Sequence, residues 1–183
     1  MRRGVKNVMG VGTLNVNMSI YTRSGDDGTT ALFGGKRLLK SDLQIEAYGG
    51  LDELSAYLGL LISKNKNKED KELFTFIQKD LYQIMGYLAG AKINLNYLAK
   101  EVIKFEKIID TLESKLPKLT QFILPQGTEL SVHTHVARTI CRRSERNVVR
   151  YDNSLKIIIR YLNRLSDLLF TFARTYNANE VVV

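Results

Sequence analysis

The sequence predicts an all-α protein, an up-and-down five-helix bundle preceded by a glycine-rich N-terminal loop. Apolar side chains recur at helical spacing over most of the chain beyond residue 42, as helices packed around one core require. The chain has only two prolines, Pro117 and Pro125, and both fall within one connection between predicted helices. Glycines are concentrated in the segment 21–40, which contains few helix-forming residues. These observations separate a loop-rich head from a helical body.

Residues 1–20 are predicted to be a flexible N-terminal extension. The basic start resembles a signal peptide, but the stretch after it is interrupted by glycine and asparagine and lacks a small-residue cleavage site. Residues 21–41 contain four glycines, so we expect an ordered loop with short extended pieces. We assign the whole chain, 1–183, to one domain in which residues 42–177 form the helical bundle.

The predicted bundle begins near Asp42, where the apolar stripe of the first helix starts. A short polar link at 152–154 joins the last two predicted helices, and Asn153 is positioned to cap the final one. Five helices around one core make a bundle of the ferritin-like type. The stripe consists of Ile45, Leu51, Leu54, Leu58 and Leu61, and the later helices are predicted near residues 68–95, 98–115, 128–151 and 153–177.

Composition restricts the class of protein. With 44% hydrophobic and 25% charged residues the chain is typical of a globular domain, and it has no apolar run long enough to span a membrane. The single cysteine, Cys141, excludes an internal disulfide, which fits the reducing cytoplasm. The formal net charge of +8 favours a polyanionic partner. The lysines of residues 64–68 are expected to lie in a solvated loop, whereas the arginines cluster elsewhere.

Three arginines, Arg138, Arg142 and Arg146, recur at a spacing of four in one predicted helix. That spacing places them along one face of the helix over two turns. Their guanidinium groups repel one another unless negative charge lies opposite, and Glu145 alone does not balance three of them. A triphosphate would balance them, because guanidinium groups match phosphate oxygens in charge and geometry. The alternative is a surface stripe paired with acidic side chains of neighbouring helices.

The glycine-rich segment 21–30 is a second candidate for binding phosphate. Glycines with interleaved hydroxyl groups allow backbone amides to converge on phosphate oxygens, and Arg23 and Lys40 add positive charge. The segment is not a P-loop, because Thr30 stands where that motif requires a glycine ahead of the glycine–lysine pair. The strand–glycine–helix fingerprint of a dinucleotide site is not present either. A plain turn-rich loop is the alternative.

The last predicted helix contains polar side chains within an apolar stretch. Asn163 and Asp167 share one face of that helix, with Arg160 and Arg164 beside them. Such residues form either a buried hydrogen-bond network or a ligand contact. His133 and His135, two residues apart on a helix, point to nearly opposite faces and are therefore not a zinc pair. No cluster of cysteine and histidine and no catalytic serine motif is visible in the sequence.

Six segments follow one another in the order of a known family pattern. They are Tyr-Thr-Arg-Ser-Gly-Asp-Asp-Gly at 21–28, Phe-Gly-Gly-Lys-Arg at 33–37, Glu-Ala-Tyr-Gly-Gly-Leu-Asp-Glu-Leu at 46–54, Phe-Ile-Leu-Pro-Gln-Gly at 122–127, the arginine row at 138–146, and Asn-Arg-Leu-Ser-Asp at 163–167. Together they resemble the PduO-type family of corrinoid adenosyltransferases over about residues 20–176. Any one of these motifs is weakly specific, whereas six in the same order are highly specific.

The resemblance implies a homotrimeric enzyme that transfers the adenosyl group of ATP to cob(I)alamin in sites between neighbouring five-helix subunits. Mg²⁺ would be bound mainly through the ATP phosphates, so no protein metal ligand is assigned. ATP and cobalamin are the expected substrates, and a separate cob(II)alamin reductase is implied because no flavin or iron–sulfur motif is present. A B12-dependent mutase is a further candidate partner, whereas nucleic acid and membrane are not expected.

The resemblance also implies roles for residues at matching positions. Asp52 would pair with Arg138 across the subunit interface and Arg142 would stabilise the leaving triphosphate, which makes these the expected catalytic residues. Phe122 would lie beneath the corrin and keep the lower axial ligand away from cobalt. The ATP-binding residues would be Thr22, Arg23, Ser24, Gly25, Thr30, Ala31 and Lys40 of one subunit and Arg142, Arg143, Glu145, Arg146 and Asn163 of the facing subunit.

Three features depart from the family pattern. Gln126 replaces the first glycine of the usual Leu-Pro-Gly-Gly, so we expect a stiffer turn near the corrin. The residues before Tyr21 have no counterpart, and the element that closes over the corrin in some relatives is expected to be shorter or absent before Val183. The competing interpretations are a non-catalytic ATP-binding trimer that carries adenosylcobalamin, and a helical nucleic-acid-binding protein suggested by the positive charge.

Overall fold

The computed structural model describes residues 21–177 and 181–182, which form five α-helices and one small sheet. The five-helix prediction is confirmed, and the predicted N-terminal extension lies outside the described residues. Two short strands pair antiparallel within the glycine-rich segment, where short extended pieces were expected. The elements are β1 (Thr29–Ala31), β2 (Arg37–Leu39), α1 (Leu43–Lys64), α2 (Lys68–Leu88), α3 (Leu98–Glu113), α4 (Glu129–Tyr151) and α5 (Lys156–Thr175).

Side-chain caps define where three of the helices begin. The Asp42 carboxylate accepts a hydrogen bond from the Gln44 backbone amide (2.8 Å) at the start of α1, and the Asn67 side chain caps α2 in the same way. At α4, Thr128 Oγ1 accepts a hydrogen bond from the Ser131 amide (3.2 Å). These side chains satisfy amides that have no partner within the helix, so the helices start at these residues.

Two details of the predicted helices are wrong. Asn153 does not cap α5, because the helix begins after Leu155, and Asn153 Oδ1 instead accepts a hydrogen bond from Lys156 Nζ. The helix expected to continue to residue 95 ends earlier, because the chain turns at Gly90 with a φ of 97°. Glycine adopts that left-handed conformation without steric cost, and a right-handed helix cannot pass through it.

The helices pack in the order α2, α1, α4, α5 and α3, so α4 lies in the middle of the series. α1 packs on α2 and α4, α4 packs on α5, and α5 packs on α3. The rings of Phe105 and Tyr161 join α3 to α5 with their centres 5.2 Å apart. Across the described residues, no helix combines the length and the apolar surface that crossing a membrane demands. The predicted stripe of α1 is buried apart from Ile45, with 0% exposure at Leu51, Leu54, Leu58 and Leu61.

α1 and α4 approach each other closely at Gly50. Ser144 Oγ donates a hydrogen bond to the Gly50 carbonyl (2.7 Å), and a Cβ atom on Gly50 would lie 3.1 Å from that hydroxyl oxygen. A larger residue would therefore push the two helices apart. This contact sets the position of the arginine-bearing surface of α4 relative to α1.

The connection between α3 and α4 is held by the end of α5. Thr128 Oγ1 donates a hydrogen bond to the Tyr176 carbonyl (2.8 Å), and Asn177 Nδ2 donates to the Gln126 carbonyl (3.1 Å). Phe122 belongs to the same connection, and its side chain is 88% exposed. The connection is thus anchored at its α4 end while its aromatic side chain faces outward.

Candidate functional site

The predicted arginine row lies on α4, and none of its three guanidinium groups pairs directly with a carboxylate in the described residues. Within the described residues, Arg138, Arg142 and Arg146 form no ion pair at 4.0 Å or less. Arg164 on α5, by contrast, contacts carboxylate oxygens at 3.1 Å and 2.6 Å. The alternative that acidic side chains of neighbouring helices pair directly with this row is therefore wrong for the part of the chain that the structure describes.

A cavity of about 410 Å³ lies between α4 and α5, and we call it the α4–α5 cavity. Asn163 Nδ2 donates a hydrogen bond to Glu145 Oε1 (3.4 Å) across the two helices at this cavity. Guanidinium groups beside a carboxylate and an amide can bind phosphate oxygens and hydroxyl groups. The structure thus brings together four predicted ATP-binding residues. The lining residues are Arg142, Glu145, Arg146, Val149, Arg150 and Asn163.

Arg138 lies in a second depression, a cleft of about 370 Å³ formed with α3 and α5. Its guanidinium carbon is 6.0 Å from the centre of the Phe170 ring, and its buried Nε has no hydrogen-bond partner within the described residues. Burial lowers the pKa of Arg138, and the positive charge of Arg142 lowers it further. No carboxylate of the described residues lies within 4.0 Å of this arginine, but four acidic residues also line the cleft: Glu106, Asp110, Glu113 and Asp167. A hydrogen-bond acceptor placed at the buried Nε would offset its desolvation.

The three arginines of the row do not all line the same depression. Arg138 lines the cleft, Arg146 lines the α4–α5 cavity, and Arg142 lines both. The cause is the helical period, since each step of four residues advances about 40° around an α-helix. Over two steps the side chains therefore turn from one depression toward the next, and Arg142 connects them.

An arginine outside this row fixes the shape of the glycine-rich loop. Arg37 of β2 donates hydrogen bonds to the Ser24 carbonyl and to Thr29 Oγ1, and lies 3.5 Å from a carboxylate oxygen of Asp27. Hydrogen bonds from Thr29 lower the pKa of Asp27 below its ordinary value, and the charge of Arg37 adds to this effect. Arg37 is therefore occupied by the loop itself, a role that the sequence pattern did not indicate.

Lys40 and Arg23 are two basic residues of the loop that are available to a ligand. Neither forms an ion pair within the described residues. The Lys40 amine lies beside Gly25, where a Cβ atom would be 3.5 Å from it. The hydroxyl oxygens of Thr22 and Ser24 are 2.8 Å apart on the same turn. The Arg23 guanidinium lies 5.7 Å from the centre of the Tyr21 ring on the same turn. Cations and hydroxyl groups on one glycine-containing turn suit the binding of phosphate oxygens.

Thr30, Ala31 and Asp52 line a third depression of about 600 Å³ between the loop, α1 and α2, which we call the loop–helix cavity. Its lining shares no residue with that of the α4–α5 cavity or the cleft. Asp52 forms no ion pair within the described residues, so it does not meet Arg138 inside one chain. The predicted pairing across a subunit interface stays a prediction.

Two of the expected ligand contacts lie apart from these cavities. Arg143 is on the flank of α4 that faces α1, where its guanidinium pairs with the Glu53 carboxylate. Phe122 projects from the connection before α4 and contributes to none of the three linings described above. The ATP contact of Arg143 and the corrin contact of Phe122 stay predictions.

The two histidines are on opposite sides of α4, as predicted. His133 Nδ1 is 2.8 Å from the Tyr57 hydroxyl of α1, whereas the His135 ring faces Phe170 of α5 with ring centres 6.0 Å apart. In the part of the chain described, no three histidine, cysteine or acidic side chains are grouped to hold a metal ion. Cys141 is fully buried, and burial raises the pKa of its thiol, so it is no thiolate nucleophile.

Arg150 and Glu46 are site residues that the sequence reasoning did not single out. Arg150 lines the α4–α5 cavity, and its Nη1 lies 3.5 Å from Glu46 Oε2 of α1. A signal for Arg150 was present, because it continues the spacing of four beyond Arg146. Nothing in the sequence indicated that an acidic residue about one hundred positions earlier would contact it.

The bundle, the unpaired arginines and the glycine-rich loop define a class of helical proteins suited to binding a polyanionic ligand such as a nucleotide. The profile of the cobalamin adenosyltransferase family matches residues 20–176 of this chain. The chain therefore belongs to the cobalamin adenosyltransferase family.

Individual relatives agree with this membership. The chain is 42% identical over 171 residues to the corrinoid adenosyltransferase of Bacillus subtilis, covering 88% of each. It is 41% identical over 165 residues to the corrinoid adenosyltransferase PduO of Citrobacter freundii, but spans only 49% of that relative and 86% of itself. Among solved structures, a variant PduO-type ATP:corrinoid adenosyltransferase from Lactobacillus reuteri complexed with cobalamin and ATP superimposes with a TM-score of 0.83 at 30% identity, covering 90% of this chain and 99% of the other.

Proposed function

We propose that this chain is an ATP:cob(I)alamin adenosyltransferase, which transfers the 5′-deoxyadenosyl group of ATP to cobalt and releases triphosphate. The observation that carries the proposal is the arginine row, in which Arg138, Arg142 and Arg146 form no ion pair within the described residues. Such a row presents unpaired positive charge to a cavity, and a bound polyphosphate matches it. Family membership supports a corrinoid as the second substrate.

The proposed reaction is an in-line displacement at the 5′ carbon of ATP. The lone pair of Co(I) forms the cobalt–carbon bond while the bond from that carbon to the α-phosphate oxygen breaks, and its electron pair leaves with triphosphate. Negative charge on the leaving group grows as this bond breaks, so cations fixed beside it lower the barrier. Arg142 and Lys40 would supply that charge from positions already set by α4 and by the loop.

Mg²⁺ is proposed to bind the ATP phosphates and to neutralise part of the same charge. This ion keeps much of its coordination shell as phosphate oxygens and water. The described residues hold no cluster of three or more ligand side chains, and the hydroxyl-rich loop around Lys40 suits a nucleotide that brings its own ion. We therefore assign no protein ligand to Mg²⁺.

We propose that the complete site lies between two subunits of a homotrimer. The loop–helix cavity and the α4–α5 cavity are separate on one chain, which supports assembly of the site by a neighbouring chain. Asp52 of one subunit would pair with Arg138 of the next and satisfy its buried Nε. The nucleotide would contact Thr22, Arg23, Ser24, Gly25, Thr30, Ala31 and Lys40 on one side and Arg142, Arg143, Glu145, Arg146 and Asn163 on the other.

Phe122 is proposed to line the lower face of the corrin. Its exposure of 88% suits an apolar ring that a ligand or a second subunit covers. An apolar wall at this position excludes water and the nitrogen ligand of cobalt, and Co(II) without that ligand is easier to reduce. A separate cob(II)alamin reductase would supply the electron, and a B12-dependent mutase is a candidate consumer of the product. We place the reaction in the cytoplasm, where the thiol of Cys141 stays reduced.

The proposal is tested by mixing the purified protein with ATP, Mg²⁺ and chemically reduced cobalamin. We expect the visible spectrum to change to that of adenosylcobalamin, with one triphosphate released for each product formed. Binding of ATP and cobalamin without this conversion would contradict the transferase activity and indicate a carrier. Salt-sensitive binding of DNA in preference to ATP would indicate a nucleic-acid-binding protein instead.

A further inference from the structure

We propose that Arg150 is a further phosphate-binding arginine of the nucleotide site, and that Glu46 is the counter-ion that it exchanges for the nucleotide. Arg150 lines the α4–α5 cavity, and its Nη1 is 3.5 Å from Glu46 Oε2 of α1. The inference rests on the proposed function, since it takes ATP as the ligand of this cavity.

Arg150 extends the arginine row by one further step of four residues along α4. Three steps of four residues turn the row by about 120° around α4 between Arg138 and Arg150. The first member accordingly faces Phe170 of α5 (6.0 Å), and the last faces Glu46 of α1 (3.5 Å). A polyanion that contacts Arg142 and then follows the row therefore meets Arg150, about 12 Å further along the helix axis.

The ion pair of Arg150 is weak enough to be exchanged. The side chains of Arg150 and Glu46 are 58% and 45% exposed, and a single long contact joins them. Exposed pairs of this kind are screened by water and salt and contribute little to stability. A phosphate group offers more negative charge and a better geometric match to a guanidinium than one carboxylate does. A nucleotide entering the cavity therefore displaces Glu46.

The position of Glu46 favours this exchange. It lies in the first turn of α1, where the positive end of the helix dipole stabilises a carboxylate. Glu46 therefore keeps a favourable electrostatic environment after Arg150 leaves it. In the absence of nucleotide, Glu46 pairs with the Arg150 guanidinium and holds it at the edge of the cavity. The phosphate groups of a bound nucleotide replace Glu46 in this pairing.

A second ion pair between α1 and α4 provides matched controls. Lys64 of α1 contacts Glu129 of α4 at 2.5 Å, and Glu129 also lies in the first turn of its helix. Neither residue lines the α4–α5 cavity. Removing this pair therefore reproduces the loss of an α1–α4 ion pair without changing the charge of the cavity.

Arg150→Ala tests the phosphate contact by calorimetric titration of the full chain with ATP and, separately, with inorganic tripolyphosphate. We expect both ligands to bind about tenfold more weakly, as the loss of one charged contact implies, while Lys64→Ala binds both like the wild type. Unchanged binding of tripolyphosphate by Arg150→Ala overturns the assignment, even if ATP binding falls, because the residue would then contact another part of the nucleotide.

Glu46→Gln tests the exchange. We expect it to bind tripolyphosphate several-fold more tightly than the wild type, because Arg150 no longer has a competing anion, while Glu129→Gln leaves binding unchanged. In an Arg150→Ala background the Glu46→Gln change should have no further effect. Equal or weaker binding by Glu46→Gln overturns the role of Glu46 as an exchangeable counter-ion.

Failure of this inference can be told apart from failure of the proposed function. If the wild-type protein binds neither ATP nor tripolyphosphate, the proposed function fails. If the wild type binds both and forms adenosylcobalamin, while Arg150→Ala behaves like Lys64→Ala, only the inference about Arg150 fails.

Discussion

At the scale of single residues, the arginines of α4 differ in whether a carboxylate of their own chain pairs with them. Arg143 and Arg150 pair with acidic side chains of α1, whereas Arg142 forms no ion pair within the described residues. Arg142 also lies where the α4–α5 cavity and the cleft meet. A guanidinium that has no paired carboxylate and lies beside a second guanidinium is stabilised strongly by a bound anion. Arg142 is therefore the residue expected to stabilise the negative charge that develops on the leaving triphosphate.

We predict that Arg142→Ala lowers kcat/KM by roughly 100-fold to 1,000-fold, or about 3–4 kcal/mol, because a preorganised charge beside the leaving triphosphate is lost. Steady-state kinetics with chemically reduced cobalamin measures this. Arg160→Ala is the control, since Arg160 is exposed on α5 and lines neither the cavity nor the cleft. If kcat/KM of Arg142→Ala is within a few-fold of that of Arg160→Ala, Arg142 does not stabilise the transition state.

The positions of these arginines along α4 could be predicted from the sequence, but their contacts with other helices could not. The spacing of four correctly indicated that Arg142 and Arg146 lie together, because helical geometry is local. It could not indicate that Arg143 pairs with Glu53 or that Arg138 stacks near Phe170, because those partners come from other helices. Charge pairing depends on tertiary packing, so composition and spacing predict the cations of a site but not which of them remain unpaired.

A buried carboxyl group gives a second prediction at the residue scale. Asp80 of α2 is 3% exposed, and its Oδ2 accepts a hydrogen bond from the Tyr161 hydroxyl of α5 (3.0 Å). Burial raises the pKa of Asp80 from 3.8 to about 6. When the pKa of a carboxyl group is higher in the folded protein than in the unfolded protein, the group stabilises the fold at a pH below its pKa in the unfolded protein. This contribution is lost as the pH rises through its pKa in the folded protein. As the pH rises from 3.8 to about 6, ionisation of Asp80 therefore lowers the free energy of unfolding of the wild-type protein.

Asp80→Asn should remove this pH dependence, because the amide keeps an oxygen for Tyr161 and cannot ionise. Its free energy of unfolding should exceed that of the wild type by on the order of 2 kcal/mol at neutral pH, and the difference should shrink toward about pH 4. Urea unfolding across this range measures both proteins. A difference that is constant with pH, or that grows as the pH falls, would contradict the raised pKa.

At the scale of elements, helix starts were predicted more accurately than helix ends. Asp42 and Thr128 cap helices near the predicted starts, because a capping side chain acts within its own turn and is visible in sequence. The end of α2 was misplaced because apolar residues continue past it, while the stop depends on the left-handed backbone of Gly90. The start of α5 was misplaced because Asn153 binds Lys156 Nζ rather than a backbone amide.

The packing of α1 on α4 is tested by two neighbouring glycines. Both Gly49→Ala and Gly50→Ala gain helix propensity, up to about 1 kcal/mol in α1. A Cβ atom at Gly49 meets nothing within 4 Å, whereas one at Gly50 would lie 3.1 Å from Ser144 Oγ. We therefore expect Gly49→Ala to stabilise the fold, and Gly50→Ala to be about 1–3 kcal/mol less stable than Gly49→Ala. Urea unfolding at one protein concentration compares them, and equal stabilities would mean that α1 and α4 separate without cost.

At the scale of the whole molecule, one chain carries two incomplete halves of the proposed site. The first half, which we call the loop half, contains Lys40 beside Gly25 and Asp52 in the loop–helix cavity. The second, which we call the arginine half, contains Arg142 and Asn163 in the α4–α5 cavity. The linings of the two cavities have no residue in common. In the proposed homotrimer, a heterologous interface between the loop half of one subunit and the arginine half of the next would close into a ring and complete each site. The order of motifs along the sequence could not distinguish this from a site within one chain.

Mixed oligomers test whether each site uses two chains. Lys40→Ala damages only the loop half and Arg142→Ala damages only the arginine half, so each variant alone should be nearly inactive. In oligomers assembled at random from equal amounts of both, about one quarter of the sites combine an intact loop half with an intact arginine half. We expect about that fraction of wild-type activity after co-expression, with native mass spectrometry confirming mixed assemblies. Mixed assemblies that remain as inactive as the separate variants would place both halves of each site on a single chain.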